Sequence, residues 1–251
     1  MRYAVSGPHA GFRVATAGAP VEEANGAVVL LHGRGGSARD ILGLAREIAR
    51  PDLAYLAPQA VGNSWYPLSF LAPLEANEPH LSSALEVVDA IVRNLAERSV
   101  ASGSILLAGF SQGACLTLEY VARHPRRYGG VTALTGGLLG PPERDFRSLA
   151  GDLAGTPVRL AAGDPDPHVP WERVEQSARV LERLGAATAI ERYPGLPHTI
   201  HPDEIGHLRQ LAARISSAEK ADGPEGADDT VRANDTVRAI DMGGANDAEP
   251  V

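Results

Sequence analysis

The segment of residues 104–114 constrains the fold of this chain more than any other. A short apolar run leads into the pattern Gly-x-Ser-x-Gly at residues 109–113, and a helix-forming stretch follows directly. A sharp turn between a strand and a helix exposes a serine hydroxyl, here Ser111, and fixes it for nucleophilic attack. Side chains at positions 109 and 113 would collide with the turn or the neighbouring strand, so glycine is needed there. The same pattern also arises by chance in loops, and its meaning therefore depends on the rest of the chain.

Apolar runs and amphipathic helical patterns alternate along the chain up to residue 215. The continuous apolar run at 27–31 is typical of a strand that is buried on both faces. Ser37 is placed to cap a helix that ends at Ala49, and Ser83 with Glu86 has the spacing of a capping box in a helix over 81–98. The remaining predicted strands are 12–16, 53–57, the run before Ser111, 130–134, 158–162 and 187–193, and the remaining predicted helices are 112–123, 171–184 and 202–215. This alternation predicts an α/β fold, with a mostly parallel central sheet and helices on both faces.

The composition narrows the class of protein. A length of 251 residues, with 44% hydrophobic and 22% charged residues, is typical of one soluble α/β domain. No apolar run approaches the ~18 residues of a membrane span, and the first residues lack the apolar stretch of a secretory signal. The single cysteine, Cys115, excludes an intramolecular disulfide. We therefore expect a cytoplasmic protein without a membrane span.

Most of the negative charge lies at the carboxyl end. Of the net charge of −8, residues 217–251 carry −6, from nine acidic and three basic residues, and the rest of the chain is nearly neutral. Neither part has the basic patch that nucleic-acid binding requires. The 217–251 segment lacks aromatic residues and is rich in Ala, Gly, Asp and Glu, so we predict a disordered acidic tail after a folded domain over 1–216. A tag for a partner protein is the alternative.

A glycine-rich segment at residues 32–36 follows the apolar strand 27–31. A turn of this kind can aim backbone N–H groups at a developing oxyanion. We expect the amide of Arg34 to be one donor and the amide of Gln112 to be the other. The alternative is a phosphate-binding loop, which is weakened because neither a Lys-Ser/Thr pair nor a Gly-x-Gly-x-x-Gly pattern is present.

Two carboxylates in the segment 163–170 are candidates for the acid that orients a catalytic histidine. Asp164 and Asp166 lie two residues apart in a proline-stiffened turn after a predicted strand. We assign the orienting role to Asp166. Asp164 is expected to accept backbone N–H groups within the loop, and His168 to lie at the surface or behind the reacting groups.

His198 is the candidate general base, because it follows the last predicted strand and precedes the last predicted helix. His201 lies directly before Pro202 and is expected to start that helix. A metal site that combines both histidines with Asp164 and Asp166 is the alternative, but the chain has no His-Glu-x-x-His helix. We therefore expect neither a metal nor a cofactor.

The order Ser111, Asp166, His198 is that of nucleophile, acid and base in α/β-hydrolases. With the motifs around it, the chain resembles the phospholipase/carboxylesterase family, which includes acyl-protein thioesterases. The segments that carry the resemblance are Leu30-Leu31-His32-Gly33-Arg34-Gly35-Gly36, Pro58-Gln59-Ala60 with Ser64-Trp65-Tyr66, Gly109-Phe110-Ser111-Gln112-Gly113-Ala114, Gly163-Asp164-Pro165-Asp166-Pro167 with Val169-Pro170, and Pro197-His198.

The resemblance covers roughly residues 26–215 and implies an α/β-hydrolase fold. In that family the triad acid is the carboxylate just before the proline, which supports Asp166. The family also has oxyanion amides at the positions of Arg34 and Gln112. The chain departs from it at Cys115, where glycine is common, and in the acidic tail.

A long connection over residues 61–80 bears on the substrate. Long ordered loops are usually functional, and we predict that this one forms the wall and cover of an acyl pocket, although it could instead plug the sheet edge. The residues concerned are Trp65, Tyr66, Phe70, Leu71 and Leu74. Only about 20 residues separate the strands 130–134 and 158–162, which leaves room for one short helix and for no large lid. An open, modest pocket favours short or medium acyl esters.

These features predict a serine hydrolase that cleaves carboxylic esters of small molecules through an acyl-enzyme. The same catalytic residues would serve a thioesterase or lysophospholipase that acts on acylated protein or lipid. The motifs do not distinguish these activities from ester hydrolysis. A catalytically silent α/β-hydrolase that acts as a binding module is a third alternative. The sequence does not decide whether the chain forms a homodimer.

Overall fold

Within residues 4–217, which the computed structural model describes, seven strands form one sheet. They are β1 (Val14–Gly18), β2 (Ala27–Leu31), β3 (Ala54–Pro58), β4 (Ile105–Phe110), β5 (Gly130–Leu134), β6 (Pro157–Asp164) and β7 (Ala187–Pro194). The strand order in the sheet is β1-β3-β2-β4-β5-β6-β7. Strand β1 runs antiparallel to β3 at one edge, and all other neighbours are parallel. The predicted, mostly parallel α/β sheet is confirmed.

Helices cover both faces of the sheet. They are α1 (Ala38–Leu42), α2 (Leu44–Ile48), α3 (His80–Glu97), α4 (Gln112–Arg123), α5 (Trp171–Arg183) and α6 (Pro202–Ser217). Successive strand residues point to opposite faces, so Val29 and Leu31 pack with α3, α4 and α5, whereas Val28 and Leu30 pack with α1, α2 and α6. Strand β2 is therefore buried along its whole length, which explains its unbroken apolar sequence.

The helix predicted to begin after Ser37 is two short helices that meet at Gly43. Its start is as predicted, because the Ser37 hydroxyl accepts a hydrogen bond from the Asp40 amide at 3.2 Å and the Asp40 carboxylate accepts one from the Ser37 amide at 3.0 Å. The Gly43 amide bonds to the Asp40 carbonyl at 3.0 Å, three residues back. This tighter turn interrupts the regular hydrogen-bond pattern at a glycine, which has a weaker helical preference than every residue except proline.

The predicted capping box of Ser83 and Glu86 is wrong. Helix α3 begins at His80, and both side chains bind a segment far away in sequence. The Ser83 hydroxyl accepts from the amide of His9 at 2.9 Å, and the Glu86 carboxylate accepts from the amide of Ser6 at 2.9 Å. The spacing fitted a cap, but the partners of these two side chains are in the amino-terminal segment.

The structure also bears on the predicted absence of a large lid and of a membrane-spanning helix. Residues 135–156, between β5 and β6, contain neither a helix nor a strand, so no large lid rises from this connection. No helix within residues 4–217 is long and apolar enough to cross a membrane. Apart from Ser217, which ends α6, the predicted acidic tail 217–251 lies outside the described residues.

Candidate active site

Ser111 occupies the turn between β4 and α4 in a backbone conformation that few residues adopt. Its φ is 53° and its ψ is −116°, a strained combination of the kind that persists where the surrounding structure enforces it. The Ser111 amide donates to the Leu134 carbonyl at 3.0 Å, and the Ser111 carbonyl accepts from the Cys115 amide at 3.0 Å. These bonds anchor the turn to the neighbouring strand and to the first turn of the helix.

The two glycines of the motif are required by close backbone contacts. A Cβ at Gly109 would lie 2.3 Å from the carbonyl oxygen of Gly113, and a Cβ at Gly113 would lie 2.2 Å from the carbonyl oxygen of Leu31. Both distances are far below van der Waals contact. The predicted collisions with the turn and the neighbouring strand are confirmed.

The structure brings Ser111, His198 and Asp166 into one line of hydrogen bonds. His198 Nε2 lies 2.8 Å from Ser111 Oγ, and His198 Nδ1 lies 2.7 Å from Asp166 Oδ2. Each side chain follows the carboxyl end of a different strand, β4, β6 or β7, as expected for parallel strands whose ends face one edge of the sheet. The arrangement can pass a proton from the serine hydroxyl to the imidazole.

Asp166 is held as an anion by its surroundings. Its carboxylate is fully buried, and burial alone would raise its pKa. The amides of His168 and Val169 donate to Oδ1 at 2.7 and 2.9 Å, and the His198 ring binds Oδ2. These bonds outweigh burial, so the pKa of Asp166 lies below its usual value.

Asp164 does not make the contacts predicted for it. Its Oδ2 accepts a hydrogen bond from Arg192 Nε at 2.7 Å, and the loop amides that it was expected to bind are bound by Asp166. The side chain points to a cation on the adjacent strand β7, which the sequence spacing within the loop does not reveal. Asp164 is therefore part of an ion pair beside the site.

His201 and His168, the other two histidines of the loops that carry Asp166 and His198, also lie near the site. His201 starts α6 as predicted, with its amide donating to Glu204 at 2.7 Å and its ring stacked on Tyr193 at 4.1 Å. His168 is exposed, and its ring centroid lies 4.8 Å from that of His198. Within residues 4–217, no group of three or more His, Cys, Asp or Glu side chains could hold a metal ion.

The amides of Arg34 and Gln112 belong to residues that line one cavity together with Ser111. Within the described part of the chain, neither amide donates to a protein acceptor. The Arg34 side chain donates to the carbonyls of Pro67 and Leu68, two other residues that line the cavity, at 2.7 and 2.5 Å. Among the described residues, both amides are thus left without a protein acceptor, on residues that line the cavity together with Ser111.

The cavity has a volume of about 420 Å³ and is open to solvent. Of the five residues predicted to form an acyl pocket, Tyr66 and Phe70 line it. The other residues that line it are Gly33, Arg34, Pro67, Leu68, Ser69, Phe110, Ser111, Gln112, Cys115, His168, Val169 and His198.

Trp65, Leu71 and Leu74 do not line this cavity, which corrects the prediction for them. The Trp65 indole is fully buried beneath the glycine-rich turn, where its Nε1 donates to the His32 carbonyl at 2.8 Å. Leu71 lines a separate groove, and Leu74 packs against the core at the edge of the connection. Their apolar character reflects packing against the core.

The structure also shows a clamp that the sequence does not indicate. Gln112 Oε1 accepts from the Trp65 amide at 2.9 Å, and Gln112 Nε2 donates to the Tyr66 carbonyl at 2.8 Å. The side chain is almost fully buried. The Gln112 side chain therefore ties the 61–80 connection to the turn that carries Ser111.

Two buried histidines brace the 61–80 connection and the residue that precedes it. His9 Nε2 donates to the Trp65 carbonyl at 2.9 Å, and His32 Nε2 accepts from the Ala60 amide at 3.1 Å. Burial lowers the pKa of both rings, although a backbone carbonyl bonded to each ring acts in the opposite direction. Both rings therefore stay neutral, as their roles as donor to one backbone group and acceptor from another require.

Comparisons with known proteins show which family the chain is similar to. A family profile described as Phospholipase/Carboxylesterase matches residues 13–214. The chain is 47% identical to a phospholipase/carboxylesterase of solved structure from Dyadobacter fermentans, with a TM-score of 0.78 over 81% of this chain and 97% of that one.

Two curated relatives are more distant. A probable carboxylesterase from Arabidopsis thaliana is 29% identical over 168 residues, which are 64% of this chain and 63% of the relative. An acyl-protein thioesterase 1 from Gibberella zeae is 34% identical over 122 residues, 46% of this chain and 51% of the relative. The chain thus spans between half and two thirds of the length of these curated relatives.

Proposed function

Because the chain belongs to the phospholipase/carboxylesterase family of α/β-hydrolases, we propose that it is a serine hydrolase of carboxylic esters. The observation that carries the proposal is the continuous contact from Ser111 Oγ to His198 Nε2 at 2.8 Å and from His198 Nδ1 to Asp166 Oδ2 at 2.7 Å. Ser111 is the nucleophile, His198 the general base and Asp166 the residue that orients it.

The reaction starts when His198 Nε2 takes the proton of Ser111 Oγ as that oxygen attacks the ester carbonyl. The carbonyl oxygen becomes an oxyanion, which the amides of Arg34 and Gln112 stabilise; one such donor contributes about 3–4 kcal/mol where its removal has been measured. His198 then gives the proton to the leaving alkoxide, and the acyl group stays on Ser111. A water molecule, deprotonated by His198, attacks the acyl-enzyme and releases the acid.

Short or medium acyl esters fit the site best. A cavity of about 420 Å³ accepts a small ester, and the connection over residues 135–156 contributes no helix that could cover a large lipid substrate. Thioesters are the second candidate, supported by the similarity to the acyl-protein thioesterase from Gibberella zeae. Rates for matched oxygen and sulfur esters of graded acyl length distinguish the two.

The test of the function is the Ser111→Ala variant with p-nitrophenyl butyrate as substrate. We expect turnover to fall to near the uncatalysed rate and labelling by a fluorophosphonate probe to disappear. Ser82→Ala, which changes an exposed serine on α3, is the matched control and should keep both. Retention of most activity in Ser111→Ala would overturn the mechanism, and failure of the unchanged protein to react with the probe would favour a silent binding module.

A further inference from the structure

A groove lined by basic side chains lies at the amino ends of β6 and β7, beside the second half of α6. Ser111, Asp166 and His198 follow the carboxyl ends of their strands, so the groove and the candidate active site lie at opposite ends of the strands. The groove has a volume of about 380 Å³. Within residues 4–217 no aspartate or glutamate lines it, and the basic residues that do are Arg127, Arg159, His207 and Arg214.

Arg159 occupies a position on the sheet where other strands carry apolar residues. Its neighbours Val158 and Leu160 pack on the face that α3, α4 and α5 cover, so Arg159 points to the opposite face, towards α6. The interior strands β2 and β4 place apolar side chains on that face, namely Val28, Leu30, Leu106 and Ala108. An arginine at such a position has a reason other than core packing.

The guanidinium of Arg159 has no partner within the described part of the chain. The residue is half-buried, and it forms neither a side-chain hydrogen bond nor an ion pair with another described residue. Glu191 and Glu204 line a small cavity next to it but bind other groups. Glu191 lies 3.3 Å from the ring of His207, and the Glu204 carboxylate accepts a hydrogen bond from a backbone amide. Arginine keeps its charge at neutral pH, and withdrawing a charge from water without a partner is unfavourable. An anion in the groove would remove this cost.

Arg127 and Arg214 add two positive charges to the groove. Arg127 Nη1 donates to the carbonyls of Ala154, at 3.3 Å, and of Gly155, which fixes the guanidinium beside the groove. Arg214 is exposed in the last turn of α6 and forms no ion pair with a described residue. A cation in the last turn of a helix is favourable by itself, so Arg214 indicates a site only together with the other two arginines. The three concentrate positive potential in one concave site of a domain that is otherwise nearly neutral.

We propose that this groove binds a small anionic ligand through a phosphate group. A terminal phosphate presents three acceptor oxygens and can bind two guanidinium groups at once, whereas a carboxylate has only two oxygens. A volume of about 380 Å³ is within the range of small-molecule sites. The phosphate can belong to a free phosphorylated compound or to the head group of a lipid. The inference does not depend on the proposed ester hydrolysis at Ser111, because the groove and the catalytic cavity share no lining residue.

The test is a calorimetric titration of inorganic pyrophosphate into the unchanged protein and its variants. Arg159→Gln and Arg214→Gln each remove one guanidinium from the groove. Arg13→Gln is the matched control, because Arg13 is exposed, forms no ion pair with a described residue and precedes β1, at the far edge of the sheet from β7. We expect saturable binding of one pyrophosphate per chain to the unchanged protein. The Kd should rise at least about tenfold in each groove variant and stay within about twofold in Arg13→Gln.

Absence of saturable binding to the unchanged protein would overturn the inference. A similar loss in all three variants would also overturn it, because the loss would then reflect net charge, and so would binding that neither groove variant weakens. Arg34→Gln removes the guanidinium of a residue that lines the catalytic cavity, and a loss of affinity confined to this variant would place pyrophosphate there and contradict the proposal. If Arg159→Gln fails to fold, as its Tm will show, Arg214→Gln decides the test, since it changes an exposed residue.

Sedimentation with lipid vesicles identifies the source of the phosphate. The vesicles contain phosphatidylcholine alone or phosphatidylcholine with phosphatidic acid, whose phosphate is terminal. Binding only to the vesicles with phosphatidic acid, weakened at least about tenfold in Arg214→Gln and retained in Arg13→Gln, assigns a lipid head group to the groove. Binding of pyrophosphate without binding to either kind of vesicle assigns a free phosphorylated compound.

Discussion

Asp166 and His198 are joined by a 2.7 Å hydrogen bond between Oδ2 and Nδ1, although they lie 32 residues apart in the chain. The other carboxylate oxygen, Oδ1, accepts from the amides of His168 and Val169. Both oxygens are thus occupied, and the carboxylate is held in one orientation. A proton on Nδ1 of His198 satisfies Oδ2 and leaves Nε2 free to accept the proton of Ser111.

Replacement of Asp166 by asparagine should therefore abolish most activity without unfolding the protein. The amide would favour the wrong tautomer of His198, and we expect kcat to fall by roughly four orders of magnitude. Asp164→Asn is the matched control, because Asp164 binds Arg192 and not His198. It should keep kcat within a few-fold, with a loss of stability of less than about 1 kcal/mol for a partly exposed ion pair. Steady-state kinetics on p-nitrophenyl butyrate and Tm measure both; equal falls in kcat would contradict the assignment.

A methyl group at position 113 should be incompatible with the fold. The Cβ of Gly113→Ala would lie 2.2 Å from the carbonyl oxygen of Leu31 in the interior strand β2, and neither backbone can shift without disturbing the sheet. We expect insoluble protein or a loss of several kcal/mol in the free energy of unfolding, outside the usual range of about 0.5–3 kcal/mol.

Gly206→Ala makes the same chemical change inside α6, where the added Cβ meets no atom within 4 Å. It should stabilise the protein by about 0.5–1 kcal/mol, because alanine loses less conformational entropy in a helix than glycine. Urea unfolding of both variants measures the contrast. A soluble Gly113→Ala protein of unchanged stability would show that the turn can relax away from β2.

Truncation of Gln112 should separate the role of its side chain from the role of its backbone amide. Gln112→Ala keeps the backbone donor but leaves the Trp65 amide buried without its partner, at a cost of about 1–3 kcal/mol. The Tyr66 carbonyl keeps its hydrogen bond from Ser64 Oγ at 2.9 Å. We expect a lower Tm and a fall of at least tenfold in kcat/KM, since the connection that carries Tyr66 is no longer tied to Ser111. Gln210→Ala, an exposed change on α6, should alter neither. Unchanged kcat/KM in Gln112→Ala would mean that the clamp does not position the site.

The sequence predicts the parts of the site that depend on chain order. Ser111, Asp166 and His198 each follow an apolar strand, and parallel strands bring such loops to one edge of the sheet. The need for glycine at positions 109 and 113 can also be predicted from the sequence, because it depends on contacts within and next to one turn. The sheet and all its helices follow from the same local patterns, except for the break at Gly43.

Contacts between distant segments could not be read in this way. Ser83 has the spacing of a cap but binds the amide of His9, and His9 in turn binds the carbonyl of Trp65. Trp65 has the character of a pocket residue but donates to His32 beneath the turn. The hydrogen-bond partner of a side chain depends on which polar groups the fold brings near it. A single sequence does not show which groups these are.

Glu204 lies in an environment that opposes its charge. It is 2% exposed, and its Oε1 has no hydrogen-bond partner among the described residues. Burial raises its pKa to about 7, from 4.5; the bond from the His201 amide acts in the opposite direction, and the nearby Glu191 carboxylate adds to the rise. The folded protein therefore holds the proton more tightly than the unfolded chain. Stability from this group is complete below pH 4.5 and declines as the pH rises to about 7.

Glu204→Gln should remove this penalty, because the amide does not ionise and its oxygen can take the place of Glu204 Oε2, which accepts from the His201 amide. The gain in the free energy of unfolding should be smallest below pH 4.5, grow between pH 4.5 and about 7, and reach at most about 3 kcal/mol at higher pH. Urea unfolding at pH 5, 6, 7 and 8 measures it. Glu97→Gln, which removes the same charge from an exposed position on α3, should show no such trend. A constant difference between Glu204→Gln and the unchanged protein across this range would mean that Glu204 ionises normally in the folded state.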